Sequence, residues 1–273
     1  MRGECWWITG ASSGIGEAFA AQCAARGARL ILSGRNVEAL NRIAQACGAD
    51  NCLVLPFETT DYAAIPAIVA AASAWAGQID CLINNAGISQ RSLAIETDFS
   101  VYEKIVAVDL LAPIALTQAL LPQMIAQGRG RIIAISSVAG VAGVPMRSAY
   151  CAAKHGMFGY FDSLRCENAH LGLEVHVIAP GSIKTNVSRN ALTGAGSKRG
   201  ESDPAIENGQ DAHEAVAVML NGVLAGEREM ILATGFEAHI AALRRSDPDA
   251  LFDTTAKSVQ RGYAQEMAAS GRG

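Results

Sequence analysis

Cys5-Trp6-Trp7-Ile8-Thr9-Gly10-Ala11-Ser12-Ser13-Gly14-Ile15-Gly16 is the stretch that decides the fold. Residues 5–8 form an apolar run of strand length, and Gly10, Gly14 and Gly16 punctuate the turn that follows with the spacing GxxxGxG. Ala18, Phe19, Ala21 and Ala24 then continue as an apolar helical pattern up to Arg26-Gly27. A strand, a glycine turn and a helix N-terminus in that order make a phosphate site. Free backbone N–H groups and the helix dipole favour an anion there, and glycines let it approach closely. A glycine cluster alone is more often a tight turn. Here a second apolar run, residues 28–32, follows the helix directly, so the arrangement points to a dinucleotide held by Gly10, Ser12, Ser13, Gly14, Ile15 and Gly16.

Working outward, β-rich runs recur at 29–33, 52–57, 79–84, 131–137, 173–179 and 230–233, separated by longer helical patterns. With the first strand these make seven. Such alternation predicts an α/β doubly wound (Rossmann) parallel sheet covered by helices on both faces, with ligands at the carboxyl ends of the strands. A chain of 273 residues that is 50% hydrophobic and 18% charged can bury this as a single domain, 1–273. The one compositional break, residues 186–210, is rich in Gly, Ser, Asn and charge. It reads either as an exposed loop or as a substrate lid.

Composition also excludes function classes. A net charge of −4 offers no broad basic surface for nucleic acid. The seven cysteines are scattered without a CxxC pair, and the five histidines are dispersed, so reduced thiols and no metal site are expected. Cys151, beside Tyr150, reads as packing rather than as a nucleophile. The first strand starts almost at Met1 with no charged-then-apolar leader, and the most apolar stretch, 63–76, is too short to span a bilayer. The expectation is a cytoplasmic chain with no membrane span.

The chemistry is concentrated further on. Tyr150 and Lys154 stand four apart, so on a helix they share a face and a cation can sit beside the phenol and favour its ionised form. Ser137, at the end of the apolar run 131–137, offers a hydroxyl to a carbon-bound oxygen. Proton transfer to or from that oxygen is the implied reaction. On its own the YxxxK spacing would equally describe a solvated surface pair.

In order and spacing, Thr9-Gly10-xxx-Gly14-x-Gly16, Asn84-Asn85-Ala86-Gly87, Ser137, Tyr150-xxx-Lys154 and Pro180-Gly181 resemble the short-chain dehydrogenase/reductase family, over residues 4 to about 233. The glycine spacing is that of its compact single-domain branch. The runs 147–155, 161–165 and 180–193 look most like its member seven group, linked to lipid-like carbonyls. The resemblance implies hydride transfer between nicotinamide and a substrate carbon, with Ser137 holding the oxygen and Tyr150 as proton donor or acceptor. It gives Lys154 two tasks, tuning the tyrosine and bonding the nicotinamide ribose. It also places Asn85, Ala86, Gly87, Pro180, Gly181, Ile183 and Thr185 against the cofactor, with Glu58-Thr59 where an aspartate commonly meets adenine.

Gly34-Arg35 closes the second strand where an acidic residue would select NAD(H), so NADP(H) is favoured and NAD(H) stays possible, Ser13 standing where a second cation is often found. Asp109 occupies the place of the family's catalytic asparagine. Its carboxylate could pair with Lys154 or turn away beside Pro113, and a working but re-tuned relay is expected. The stretch 138–146 should line an apolar substrate wall, with Val187 and Leu192 as lid contacts, favouring a lipophilic ketone, aldehyde or secondary alcohol. Arg147 reads as a structural ion-pair partner or as a receptor for an anionic group. The tail, 235–273, carries apolar residues, Met267 among them, and should pack on the lid or on a neighbouring subunit. A homodimer or homotetramer through the helices near 99–127 and 149–170 is implied. A non-catalytic NADP(H) sensor and a scaffold protein are the rival readings.

Overall fold

The computed structural model describes residues 1–263 and Gln265; Met267 lies outside the described residues. Seven strands form one parallel sheet: β1 (Cys5–Thr9), β2 (Arg29–Ser33), β3 (Cys52–Val54), β4 (Cys81–Asn84), β5 (Gly130–Ile135), β6 (Leu173–Pro180) and β7 (Glu229–Leu232), in the spatial order β3-β2-β1-β4-β5-β6-β7. The order reverses between β1 and β4. That reversal opens a crevice at the carboxyl ends of these two strands, where ligands of such sheets bind.

Alternation along the strands sorts their side chains onto two faces, both buried. Trp6, Ile8, Leu30, Leu32 and Ile83 pack with Phe19 of α1 (Gly14–Ala25) and with Val216 and Met219 of the helix Ala212–Leu224. Trp7, Ile31, Leu82 and Ile132 point the other way, onto Leu116, Leu120 and Phe161. Each large apolar side chain so enclosed contributes about 1.5–3 kcal/mol. β3 stops at Val54, short of the expected 57, because Pro56 has no N–H to continue the ladder. The Ser136 amide makes a last bond to Ile178 of β6, and β5 ends there because Ser137 then caps a one-turn helix, Val138–Gly140.

Between β1 and β2, α1 crosses one face; Asn36 caps α2 (Val37–Cys47) by accepting the Ala39 N–H at 3.0 Å. α3 (Ile65–Ala76) precedes β4. α4 (Phe99–Val106) then runs through a π-helical turn, Ala107–Leu111, into α5 (Ala112–Gln127). Pro113 lacks the N–H that would close a helical bond to the Asp109 carbonyl, so the widened turn sits where regular bonding is already interrupted. Among the described residues, Phe99–Gln127 is the one helical stretch long and apolar enough to cross a membrane by length and composition. Here one side of it lies in the core through Val101, Ile105, Leu116, Leu120 and Met124, while Phe99, Leu111 and Ile125 are exposed.

α6 (Ser148–Asn168) crosses back to β6, and a four-residue helix α7 (Pro204–Glu207) lies within the segment 186–210. After α8 (Ala212–Leu224) and β7, the chain ends its described part in α9 (Gly235–Ser246) and α10 (Pro248–Gln260). Ile240, Ala241 and Leu251 close over Val138, Val141 and Ala142, the residues just after Ser137. Part of the stretch 138–146 is thus covered by the chain's own C-terminal helices, while Gly143 is exposed and Val144 and Pro145 are half-buried.

Candidate active site

The glycine turn is built for close approach. Gly10 and Gly14 hold left-handed backbone conformations (φ +65° and +57°). A Cβ on Gly16 would sit 2.2 Å from the Gly10 carbonyl oxygen. Ser13, at the N-cap of α1, makes no side-chain bond to the first-turn amides, which leaves those N–H groups for an anion. Thr9 ties this turn to the next one: its hydroxyl donates to Ile83 and accepts the N–H groups of Asn85 and Ala86 at 3.0 and 3.1 Å. Asn85 returns the contact, its amide bonding the Thr9 carbonyl at 2.9 Å. From the other side Thr185 reaches the turn, its methyl 2.9 Å from where a Gly14 Cβ would be. Residues from 10–16, 85–87 and 181–185 are thus brought to one crevice. Its fit to a dinucleotide phosphate rests on these missing Cβ atoms and unclaimed amides.

Beyond the end of β2, Arg35, Glu58, Thr60, Ser100, Lys104 and Val108 line a groove of about 390 Å³. Thr59 lies deeper, with Phe57 and Ala86 around a cleft of about 10 Å³. Arg35 is exposed and stands 3.5 Å from Glu58. An exposed pair of this kind is worth about 0–1 kcal/mol, so it leaves the guanidinium free to re-pair with a phosphate.

The candidate trio Ser137, Tyr150 and Lys154 assembles through contacts that sequence reading did not single out. Ser136 donates its hydroxyl to the Lys154 carbonyl at 2.9 Å, and Gly140 lets the turn after Ser137 press on the same carbonyl, since a Cβ there would fall 2.6 Å from it. Ser137 and the start of α6 are joined in this way. Gln90, fully buried, accepts the Ala149 N–H at 2.9 Å and so satisfies a first-turn amide beside Tyr150. Serine, glycine and glutamine carry no local signal for such roles; only a buried position next to a helix start would have marked them.

Lys154 is turned inward. It is 4% exposed, its ammonium donates to the Ile135 carbonyl at 3.0 Å, and it lies 5.6 Å from the centre of the Tyr150 ring. Asp109 meets it: Oδ2 stands 3.3 Å from the ammonium, while Oδ1 accepts the Ile88 N–H at 2.8 Å. Of the two orientations open to this carboxylate, the one facing Lys154 is adopted. Burial pushes the Asp109 carboxyl above its ordinary range, partly offset by the Lys154 charge and the Ile88 amide.

Segment 186–210 is docked over the same region. Leu192 exchanges backbone bonds with Ser89 and Arg91 and packs in the cluster that includes Tyr150. Asp203 gathers Arg91, Arg147 and Arg199. Burial pushes the Asp203 carboxyl up, but the Arg91 charge and the arginine hydrogen bonds outweigh it and hold it below the usual range. Arg147 is therefore an ion-pair partner here. Cys151 is buried and burial raises its thiol, in keeping with packing. Among the described residues no group of three or more His, Cys, Asp or Glu could hold a metal.

A doubly wound sheet with a glycine turn at its switch point, and a Ser-Tyr-Lys set beyond β5, define a nicotinamide-dependent oxidoreductase. The family model for short chain dehydrogenases matches residues 4–229, and the chain belongs to that family. It is 39% identical over 235 residues to dehydrogenase/reductase SDR family member 7B of Danio rerio, covering 83% of this chain and 76% of that protein. The family protein 7-like of Drosophila melanogaster is 38% identical over 264 residues, 94% of this chain and 81% of the relative. Among solved structures, a short-chain dehydrogenase from Streptomyces avermitilis superposes with a TM-score of 0.79 at 28% identity, covering 95% of this chain and 97% of that one. A short-chain dehydrogenase/reductase from Burkholderia phymatum, solved in complex with NAD, gives 0.81 at 20% identity over 91% and 95%. The cofactor is accordingly NAD(H) or NADP(H).

Proposed function

We propose that the chain is a reductase or dehydrogenase of a lipophilic ketone, aldehyde or secondary alcohol, with Tyr150 as general acid or base and NADP(H) as the preferred cofactor. The observation that carries this reading is the joining of Ser137 to the Tyr150–Lys154 helix through Ser136, Gly140 and the Lys154 carbonyl. The nicotinamide cofactor supplies or accepts the hydride. Ser137 presents its hydroxyl to the substrate oxygen, and Tyr150 gives that oxygen a proton on reduction or takes one on oxidation. Lys154 supplies positive charge beside the phenol, and Asp109 moderates it. Leu192, packed beside Tyr150, excludes water and favours an apolar substrate.

The testing experiment is NADPH and NADH consumption against a panel of lipophilic ketones and aldehydes. Turnover that Tyr150→Phe removes supports the enzyme; cofactor binding without turnover across the panel turns the reading towards a sensor. Arg35→Ala is expected to raise KM for NADPH about tenfold and to leave KM for NADH nearly unchanged, because only the phosphate-bearing cofactor uses that charge. Equal KM changes for both cofactors would remove the NADP(H) preference.

Asp109→Asn tests the re-tuned relay. An anion near the phenol opposes tyrosinate formation, so removing it should move the acid limb of the alcohol-oxidation profile to lower pH by about one unit. Superimposable profiles would deny the carboxylate any part in the relay. Exposed Phe99, Leu111 and Ile125 on α4–α5 support a homo-oligomer formed through these helices, and a cytoplasmic location fits the reading.

A further inference from the structure

The turn that follows β6, residues 180–185, must be held firmly if it is to meet a cofactor, and it is held from two directions. On one side the bonds are backbone: Gly181 donates to Leu232, Gln210 to Ser182, and Lys184 to Gln210, at 2.8, 3.0 and 2.9 Å. On the other side a single carboxylate does the holding. Glu237, in the first turn of α9, accepts the Ser182 N–H on Oε2 at 2.7 Å and the Ser182 hydroxyl on Oε1 at 2.9 Å. The same carboxylate lies on Gly181, where a Cβ would stand only 2.3 Å from Oε2.

Three features make this contact more than a surface hydrogen bond. An acidic group in the first turn of a helix is favoured by the helix dipole, so α9 itself helps to hold the Glu237 carboxylate in place. Ile240, one turn on, is 1% exposed against Val138, Val141 and Ala142, which anchors α9 to the segment after Ser137. Thr185, at the far end of the turn, touches the glycine loop at Gly14. A displacement at Ser182 is therefore passed directly to the phosphate crevice. Glu237 lies beyond residue 229, where the family match ends, on the first of the two C-terminal helices.

We propose that Glu237 is a positioning residue for the cofactor: by fixing the Gly181–Ser182 turn it couples the C-terminal helix pair to nicotinamide dinucleotide affinity. The inference rests on the assignment of residues 180–185 to the cofactor. It is tested without substrate, by fluorescence titration of the full chain with NADPH and with NADH, alongside melting temperatures. Glu237→Ala is expected to weaken both cofactors about fivefold or more. Because the brace does not read the adenosine phosphate, the two should weaken alike, unlike the effect of Arg35→Ala. Glu237→Gln, which keeps one acceptor oxygen, should recover part of the affinity, and Ser182→Ala combined with Glu237→Ala should add little to Glu237→Ala alone. If Glu237→Ala fails to fold, Glu237→Gln and Ser182→Ala carry the test, each expected to weaken both cofactors. Wild-type affinity in the folded Glu237 variants overturns the inference alone. A wild type that binds neither nucleotide overturns the cofactor assignment and the inference with it.

Discussion

Tyr150→Phe should lose about a thousandfold in turnover while binding the cofactor as the wild type does. The substitution removes one hydroxyl and almost no volume. The ring keeps its place in the cluster with Val101, Ile105, Ala149, Ala153 and Leu192, so neither α6 nor the docked segment has reason to move. Lys154 keeps its bond to Ile135 and its approach to Asp109, neither of which involves the phenol. What disappears is the proton that must reach, or leave, the substrate oxygen. Ser137 cannot substitute, because an unassisted serine hydroxyl, here donating to the Pro180 carbonyl and accepting from the Ala139 amide, is too weak an acid to deliver that proton. Steady-state kinetics paired with a cofactor titration separates the two effects. Residual turnover above a tenth of wild type would mean that another group delivers the proton.

Gly16→Ala carries the second large effect, on binding and stability together. The added methyl would meet the Gly10 carbonyl oxygen at 2.2 Å and the Asn85 amide nitrogen at 2.7 Å, and the first of these is backbone. Relief requires α1 to back away from β1, or the Asn85 amide to be pushed from its bonds to Thr9 and Gly10. Overpacking at such a site costs about 1–3 kcal/mol, and cofactor affinity should fall about a hundredfold as the first-turn amides leave the crevice. Gly159→Ala is the matched control. Nothing lies within 4 Å of the added carbon in the middle of α6, so it should stabilise by about 0.5–1 kcal/mol without touching affinity. Denaturant unfolding with NADPH titration on both variants measures the contrast. A Gly16→Ala protein that bound cofactor as the wild type does would remove the glycine turn from the site.

Much of the site was legible because its parts are local patterns. Tyr150 and Lys154 share a helical face whatever the rest of the chain does, and the order strand, glycine turn, helix can be read from residues 5–25 alone. Asp109 was visible as a departure from the family's asparagine, yet its orientation was not. Whether the carboxylate meets Lys154 depends on a π-helical turn next to Pro113 and on the Ile88 amide from another loop. Gln90, Ser136, Gly140 and Glu237 were silent for the same reason: each acts on a residue that is distant in sequence, and none has a composition that announces it. The stretch 138–146 shows what such a reading leaves open. An apolar stretch beside a catalytic serine reads the same whether it faces a substrate or a helix, and here α9 and α10 supply the helix.

From the sequence by itself came the seven-stranded doubly wound sheet, the family, the nicotinamide cofactor and the candidacy of Ser137, Tyr150 and Lys154, because periodicity and fixed spacing survive in one dimension. Tertiary structure alone decided which way Lys154 points, that Asp109 answers it, that the C-terminal helices close on the catalytic segment, and that Glu237 grips the turn after β6. Those outcomes depend on burial and on contacts across tens of residues. The free energy of a buried charge or a filled cavity is set by neighbours that only folding brings together.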